Sequence, residues 1–178
     1  MPMGQKDVYD FSWDDLGDVE FGRPNLGSSV PVTVYRLMQY TFRDVLSKEL
    51  GMEQTKELFV KAGRLAGENF CGNVLNPSLP LDAFIAELQE KLIALGIGVL
   101  RVEEHDAENM TLVVTVSEDL DCSGLPVYGE TVCDYDEGFL AGVLSVYTKT
   151  PFEAVEIDCW STGDRTCRFR MNPVNPNG

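Results

Sequence analysis

From residue 31 to residue 95 the apolar positions recur every three or four residues, the spacing of helices that bury one face. Val34, Leu37, Met38, Thr41, Phe42, Val45 and Leu46 form the first stripe. Pro31 suits the first residue of that helix, with Ser28 and Ser29 ahead of it as caps, and Gly51 ends it. A second helix is predicted from about Glu53 to Cys71, with Phe59, Ala62, Gly63, Ala66 and Phe70 inward. Gly63 and Gly67 each cost a helix about 1 kcal/mol against Ala. Their presence predicts a close approach by another helix or a ligand. Pro77 and Pro80 break the chain, and Asp82 opens a third helix with Phe84, Ile85, Leu88, Leu92 and Leu95 inward.

After residue 98 the pattern shortens. Val99–Val102 and Met110–Val116 read as two strands joined by the polar turn His105–Asn109. A loop is expected over Ser117–Gly129, and a fourth helix over Thr131–Tyr147. Two strands, Ala154–Trp160 and Thr166–Met171, flank the turn Ser161–Asp164. The order of helices, hairpin, helix and hairpin predicts an α+β fold, about four helices on an antiparallel sheet of about four strands. Residues 1–30 read as an N-terminal arm, 31–172 as one domain and 173–178 as a tail. Within the arm a short strand is expected near Val19–Phe21, and Trp13, Leu16 and Phe21 suggest that it packs on the domain.

The chain has 178 residues and a net charge of −15. So acidic a surface repels phosphate backbones and anionic lipid heads, so neither nucleic acid nor a membrane surface is an expected partner. No apolar run reaches the length of about 20 residues that spans a bilayer, and the N-terminus shows no apolar signal region. The expectation is a cytoplasmic protein. There thiols stay reduced, and clustered cysteines bind metal more often than they pair.

Of five cysteines, three fall close together in the C-terminal part, in the spacing Cys133-x(22)-Glu156-x(2)-Cys159-x(7)-Cys167. Cys159 and Cys167 flank a hairpin turn, and Cys133 opens a helix, whose dipole favours a thiolate. Three sulfurs and a carboxylate suit tetrahedral Zn²⁺. Glu156 and Cys159 face opposite sides of a regular strand, so this set needs a bulge or an early strand end. Cys122 offers a fourth sulfur in place of Glu156. Four thiolates also suit Zn²⁺ or an iron–sulfur cluster, and buried cysteines also occur as plain core residues.

Three stretches here resemble the 4-vinyl reductase domain family: Cys133–Gly142 (CDYDEGFLAG), Glu156–Trp160 (EIDCW) and Gly163–Phe169 (GDRTCRF). The resemblance is strongest over residues 110–171. It implies the fold of phenol- and xylene-responsive activator sensor domains, of TRAPP tethering-complex subunits and of haem-based nitric-oxide sensors. It also implies a structural zinc ion held by Cys133, Glu156, Cys159 and Cys167, beside an apolar effector cavity between helices and sheet. Phenol recognition does not carry over. The only histidine, His105, lies in an acidic turn, and Leu112 stands where those sensors use Trp. The ATPase and DNA-binding parts of the activators have no counterpart here, so a stand-alone sensor or carrier is expected.

Candidate walls for the cavity are Met38, Phe42, Phe59, Ala62, Phe70, Phe84 and Leu88, with Phe139 and Val143 opposite. The ligand expected is small and apolar, hydrocarbon-like or aromatic, and a homodimer is expected. Two other readings compete: a tetrapyrrole-handling protein or reductase-associated enzyme, and a protein–protein adaptor. No nucleophile–base pair supports hydrolysis. His105 reads as a solvated turn residue, and Gly138 and Gly142 as a site of close packing or as room for a ligand.

Overall fold

The computed structural model describes residues 9–174. Residues 1–8 of the expected arm and 175–178 of the expected tail lie outside the described residues. A 3-10 turn, Trp13–Leu16, leads to one helical turn, α1 (Val19–Gly22). Four long helices follow or interrupt the sheet: α2 (Val32–Leu50), α3 (Met52–Val74), α4 (Leu81–Ala94) and α5 (Asp134–Thr148). The strands are β1 (Val99–Asp106), β2 (Thr111–Ser117), β3 (Phe152–Asp158) and β4 (Cys167–Pro173). They form one antiparallel sheet in the order β1-β2-β4-β3. Among the described residues no helix is long and apolar enough to cross a membrane.

The strand expected at Val19–Phe21 is instead α1, because the Asp18 carboxylate accepts the Phe21 N–H at 2.9 Å and closes a turn. Trp13 packs on the core, but Phe21 is 85% exposed. The first hairpin is longer than its sequence suggests. His105 lies in β1, paired with Leu112, and the turn begins only after Asp106. The Asp106 carboxylate accepts the N–H groups of Glu108 and Asn109, and Met110 takes φ +53° to close the loop.

Helices α3 and α5 cross with almost no space between their backbones. A Cβ built on Gly63 or Gly67 would come within 3.0 Å of carbonyl atoms of Tyr135 or Phe139. One built on Gly138 or Gly142 would meet the backbone of Val60 and Arg64, or of Arg64 and Glu68, equally closely. Two pairs of glycines thus face each other's helix, where Cα–H groups can approach carbonyl oxygens. The close approach expected at Gly63 and Gly67 is a helix.

Helix α2 lies the other way round from its apolar pattern. Tyr35, Gln39, Tyr40 and Arg43 face inward, while Leu37, Met38, Phe42 and Val45 are 65%, 57%, 59% and 55% exposed. The cause is the segment between β2 and α5. Its buried carbonyls need donors, and α2 supplies them. Arg36 donates to the carbonyls of Leu120 (2.7 Å) and Ser123 (2.9 Å), and Arg43 to that of Val132 (2.8 Å). Tyr40 donates to the Asp121 carbonyl at 3.0 Å. No side chain caps α2, whose N-cap is Pro31 rather than Ser28 or Ser29.

Candidate metal centre and adjoining cavities

The sulfurs of Cys122, Cys133, Cys159 and Cys167 lie within 4.8 Å of one another, and all four residues are fully buried. Each is delivered by a different element. Cys133 is the N-cap of α5, Cys159 follows the end of β3, and Cys167 opens β4. Cys122 comes from the loop after β2, where the Asp119 carboxylate accepts the N–H groups of Asp121 and Cys122, each at 2.9 Å. That turn folds the loop back toward Cys167. Cys133 stands 3.9 Å from Cys159 and 3.8 Å from Cys167. A tetrahedron with metal–sulfur bonds of about 2.3 Å has edges of about 3.8 Å, so these distances fit a tetrathiolate ion. The Cys122–Cys167 separation of 3.0 Å is shorter than such an edge.

The thiols do not ionise alike. Hydrogen bonds from Cys122, Cys133 and Cys167 hold the Cys159 thiol well below its ordinary range, and Ser161 donates to its sulfur at 3.2 Å. Cys133 and Cys167 are pushed far up, first by their contact with Cys122. Cys159 is the first thiolate, and a bound cation is what lets its neighbours follow. The fifth cysteine, Cys71, is buried in α3 outside the group, and burial raises it to about 11.

Glu156 is not one of the four gathered groups; Cys122 takes that place. The expected irregularity is present, as a register shift between Glu156 and Asp158 in the β3–β4 pairing. It carries the chain on to Cys159 while Glu156 stays behind. One oxygen, Oε2, accepts the Cys133 N–H at 3.1 Å, and Oε1 is buried with no partner among the described residues. Burial and the Cys159 charge raise this carboxyl to about 8. Glu156 thereby fixes the start of α5 at Asp134, later than the Thr131 that the sequence suggests.

Two apolar cavities adjoin the cluster. The first, about 350 Å³, lies between α2 and α3 and is lined by Met38, Phe42, Phe59 and Ala62. The second, about 390 Å³, lies behind the N-terminal segment, with Trp13, Phe70, Ile97 and Phe139 in its wall. Tyr35 and Tyr135 line both. Of the expected wall residues, Met38, Phe42, Phe59 and Ala62 thus line one cavity and Phe70 and Phe139 the other. Phe84, Leu88 and Val143 line neither. They are solid core, with the Phe84 ring stacked on Tyr147 at 4.0 Å.

Residues 112–173 match the family model of the vinyl-4-reductase domain. The match falls on the segment that carries the resemblance in sequence, and Cys122, Cys133, Cys159 and Cys167 all lie within it. An uncharacterised protein of Methanocaldococcus jannaschii is 26% identical over 158 residues, 87% of this chain and 84% of that protein. Among solved structures, the phenol-responsive sensory domain of the transcription activator PoxR with phenol is similar at TM-score 0.63 and 15% identity, over 83% of this chain and 76% of that one. A vinyl-4-reductase family protein from Methanocaldococcus jannaschii gives 0.58 at 18% identity, over 84% and 85%. A trafficking protein particle complex subunit 3 from Naegleria fowleri, covalently bound to palmitic acid, gives 0.55 at 13% identity, over 82% and 98%. The fold is the one these proteins share.

The matched segment supplies the thiols and the cavity face of α5. Helices α2 and α3 and the N-terminal segment, which lie outside it, supply the opposite walls. Sequence reading missed the polar members of those walls: Tyr35, Asp121, Tyr135 and Asp136. Asp121 accepts from the Tyr35 hydroxyl at 2.7 Å and from the Gln39 amide at 2.6 Å. Burial raises the Tyr135 phenol to about 12. One signal for Asp136 exists: it stands three residues before Phe139, on the same face of α5.

Proposed function

We propose that this chain is a binding module for a small, largely apolar molecule, with a zinc ion held structurally by Cys122, Cys133, Cys159 and Cys167. The carrying observation is the pair of apolar cavities, joined at Tyr35 and Tyr135, against the first turn of α5 that also bears Cys133. Four thiolates close a zinc site and leave no position for substrate, so the metal would staple β4, the β3 end and the Cys122 loop to α5. That the PoxR domain was solved with phenol and the tethering-complex subunit with palmitic acid supports an apolar ligand here. A cytoplasmic setting suits reduced thiols. Native mass spectrometry of the purified chain is expected to show one zinc per chain and a co-purifying organic mass. Ala66→Phe, which fills the second cavity, should keep the zinc and lose that mass. A chain without zinc or organic mass would sink the proposal, and a Soret band or flavin absorbance would favour the tetrapyrrole or reductase reading.

The outward face of α2 favours a second feature, self-association. Val34, Leu37, Met38, Thr41, Phe42 and Val45 keep the spacing of a helix seam but meet no other part of the chain. A second copy presents the same seam, and two such helices about a two-fold axis satisfy each other. Sedimentation velocity should then give a dimer, and Leu37→Glu with Phe42→Glu a monomer with unchanged zinc content. A monomeric parent chain would remove this feature and leave the ligand-binding reading in place.

A further inference from the structure

The second cavity has one wall that is not apolar. Asp136, in the first turn of α5, lines it, and the Oδ2 atom of this residue is buried with no hydrogen-bond partner among the described residues. The groups around it are acidic. Asp121 lines the same cavity, Asp119 and Cys133 each bring a donor atom within 4.8 Å of the Asp136 carboxylate, and Glu156 and Cys167 add their charge. The nearest cations are already committed. Arg43 pairs with Asp134 at 2.7 Å, Arg36 is spent on backbone carbonyls, and neither lines this cavity. Zinc would not change the balance, because four thiolates around Zn²⁺ still carry two net negative charges.

A vacant buried acceptor, in an apolar cavity surrounded by negative charge, asks for one thing: a hydrogen-bond donor carrying positive charge. We infer that the second cavity takes a small primary amine as its ammonium, with the nitrogen donating to Asp136 Oδ2 and an aromatic or short aliphatic body between Trp13, Phe70 and Phe139. Phe70 and Phe139 already stand 5.3 Å apart with their planes inclined at 58°, a tilted arrangement against which a further ring can pack. The Tyr35 and Tyr135 rings add faces that attract a cation. This inference rests on the ligand-binding reading and assigns it a head group.

Calorimetry on the zinc-loaded full chain with 2-phenylethylamine, 2-phenylethanol and 3-phenylpropionate tests it. The amine should bind about tenfold more tightly than the alcohol, and the acid most weakly. Asp136→Asn, which keeps the shape, should lose about tenfold for the amine and stay within about threefold for the alcohol. Ala66→Phe, the check on the body site, should abolish both. Equal binding of amine and alcohol, unaffected by Asp136→Asn, would overturn the head group and leave the binding module standing. Failure of all three compounds in the parent chain would overturn both. A parent chain holding two zinc ions, reduced to one by Asp136→Asn, would make this carboxylate a metal ligand and overturn the inference.

Discussion

Gly138→Ala is expected to destabilise the fold by about 2 kcal/mol, whereas Gly72→Ala is expected to stabilise it by about 0.5 to 1 kcal/mol. Both replace a helical glycine by the best helix former, and propensity alone would make both favourable. Their surroundings decide the sign. A Cβ on Gly138 would fall within 3.0 Å of backbone atoms of both Val60 and Arg64, which no rotamer change can move aside, so α3 and α5 must separate. A Cβ on Gly72, near the end of α3, meets nothing within 4 Å. Gly138→Leu should prevent folding altogether, since single-domain stability is only about 5–15 kcal/mol. Urea unfolding followed by circular dichroism reads all three. If Gly138→Ala proves as stable as the parent, the two helices do not cross this closely.

The second large effect is metal loss. Structural zinc affinity is folding free energy, about 10–16 kcal/mol in small zinc domains. Excess EDTA under reducing conditions should therefore lower the melting temperature sharply, and added zinc should restore it. Substitution separates the two ligand sets. Cys122→Ser should lose zinc as readily as Cys159→Ser, while Glu156→Gln, whose amide oxygen can still accept the Cys133 N–H, should keep about one zinc per chain. Zinc measured by mass spectrometry after dialysis reads this directly. Retention by Cys122→Ser with loss from Glu156→Gln would return the carboxylate to the metal.

What the sequence made legible follows from which interactions are local. The second hairpin, the position of α4 and the pairing of Cys159 with Cys167 depend on residues a few positions apart, and strand alternation with turn chemistry reveals them. The fourth ligand depends on a loop. Only the Asp119 carboxylate, by turning the backbone at Asp121 and Cys122, brings Cys122 to Cys167, and spacing carries no trace of that. Helix α2 shows a different limit. Its apolar periodicity is real, and it identifies the helix correctly. Periodicity cannot say whether the partner of an apolar face is the same chain. Here the buried carbonyls of residues 120–132 take the polar face instead. The cavity walls divide for a related reason. Phe59 and Phe84 look alike in sequence, but Phe84 meets Tyr147 while Phe59 lies under Arg43, whose guanidinium is 4.6 Å from its ring.

The glycine crossing also sets an order of events during synthesis. Residues 60–68 of α3 fit only against residues 135–142 of α5, and loop closure over such a span is slow. As the chain emerges from the ribosome, α2 and α3 must wait, notched and uncovered, until the far half of the domain has been made. A nascent chain stalled before α5 would expose that notch together with the outward seam of α2. Chaperone contact should therefore be greatest in that interval and fall once Gly138 and Gly142 have left the exit tunnel.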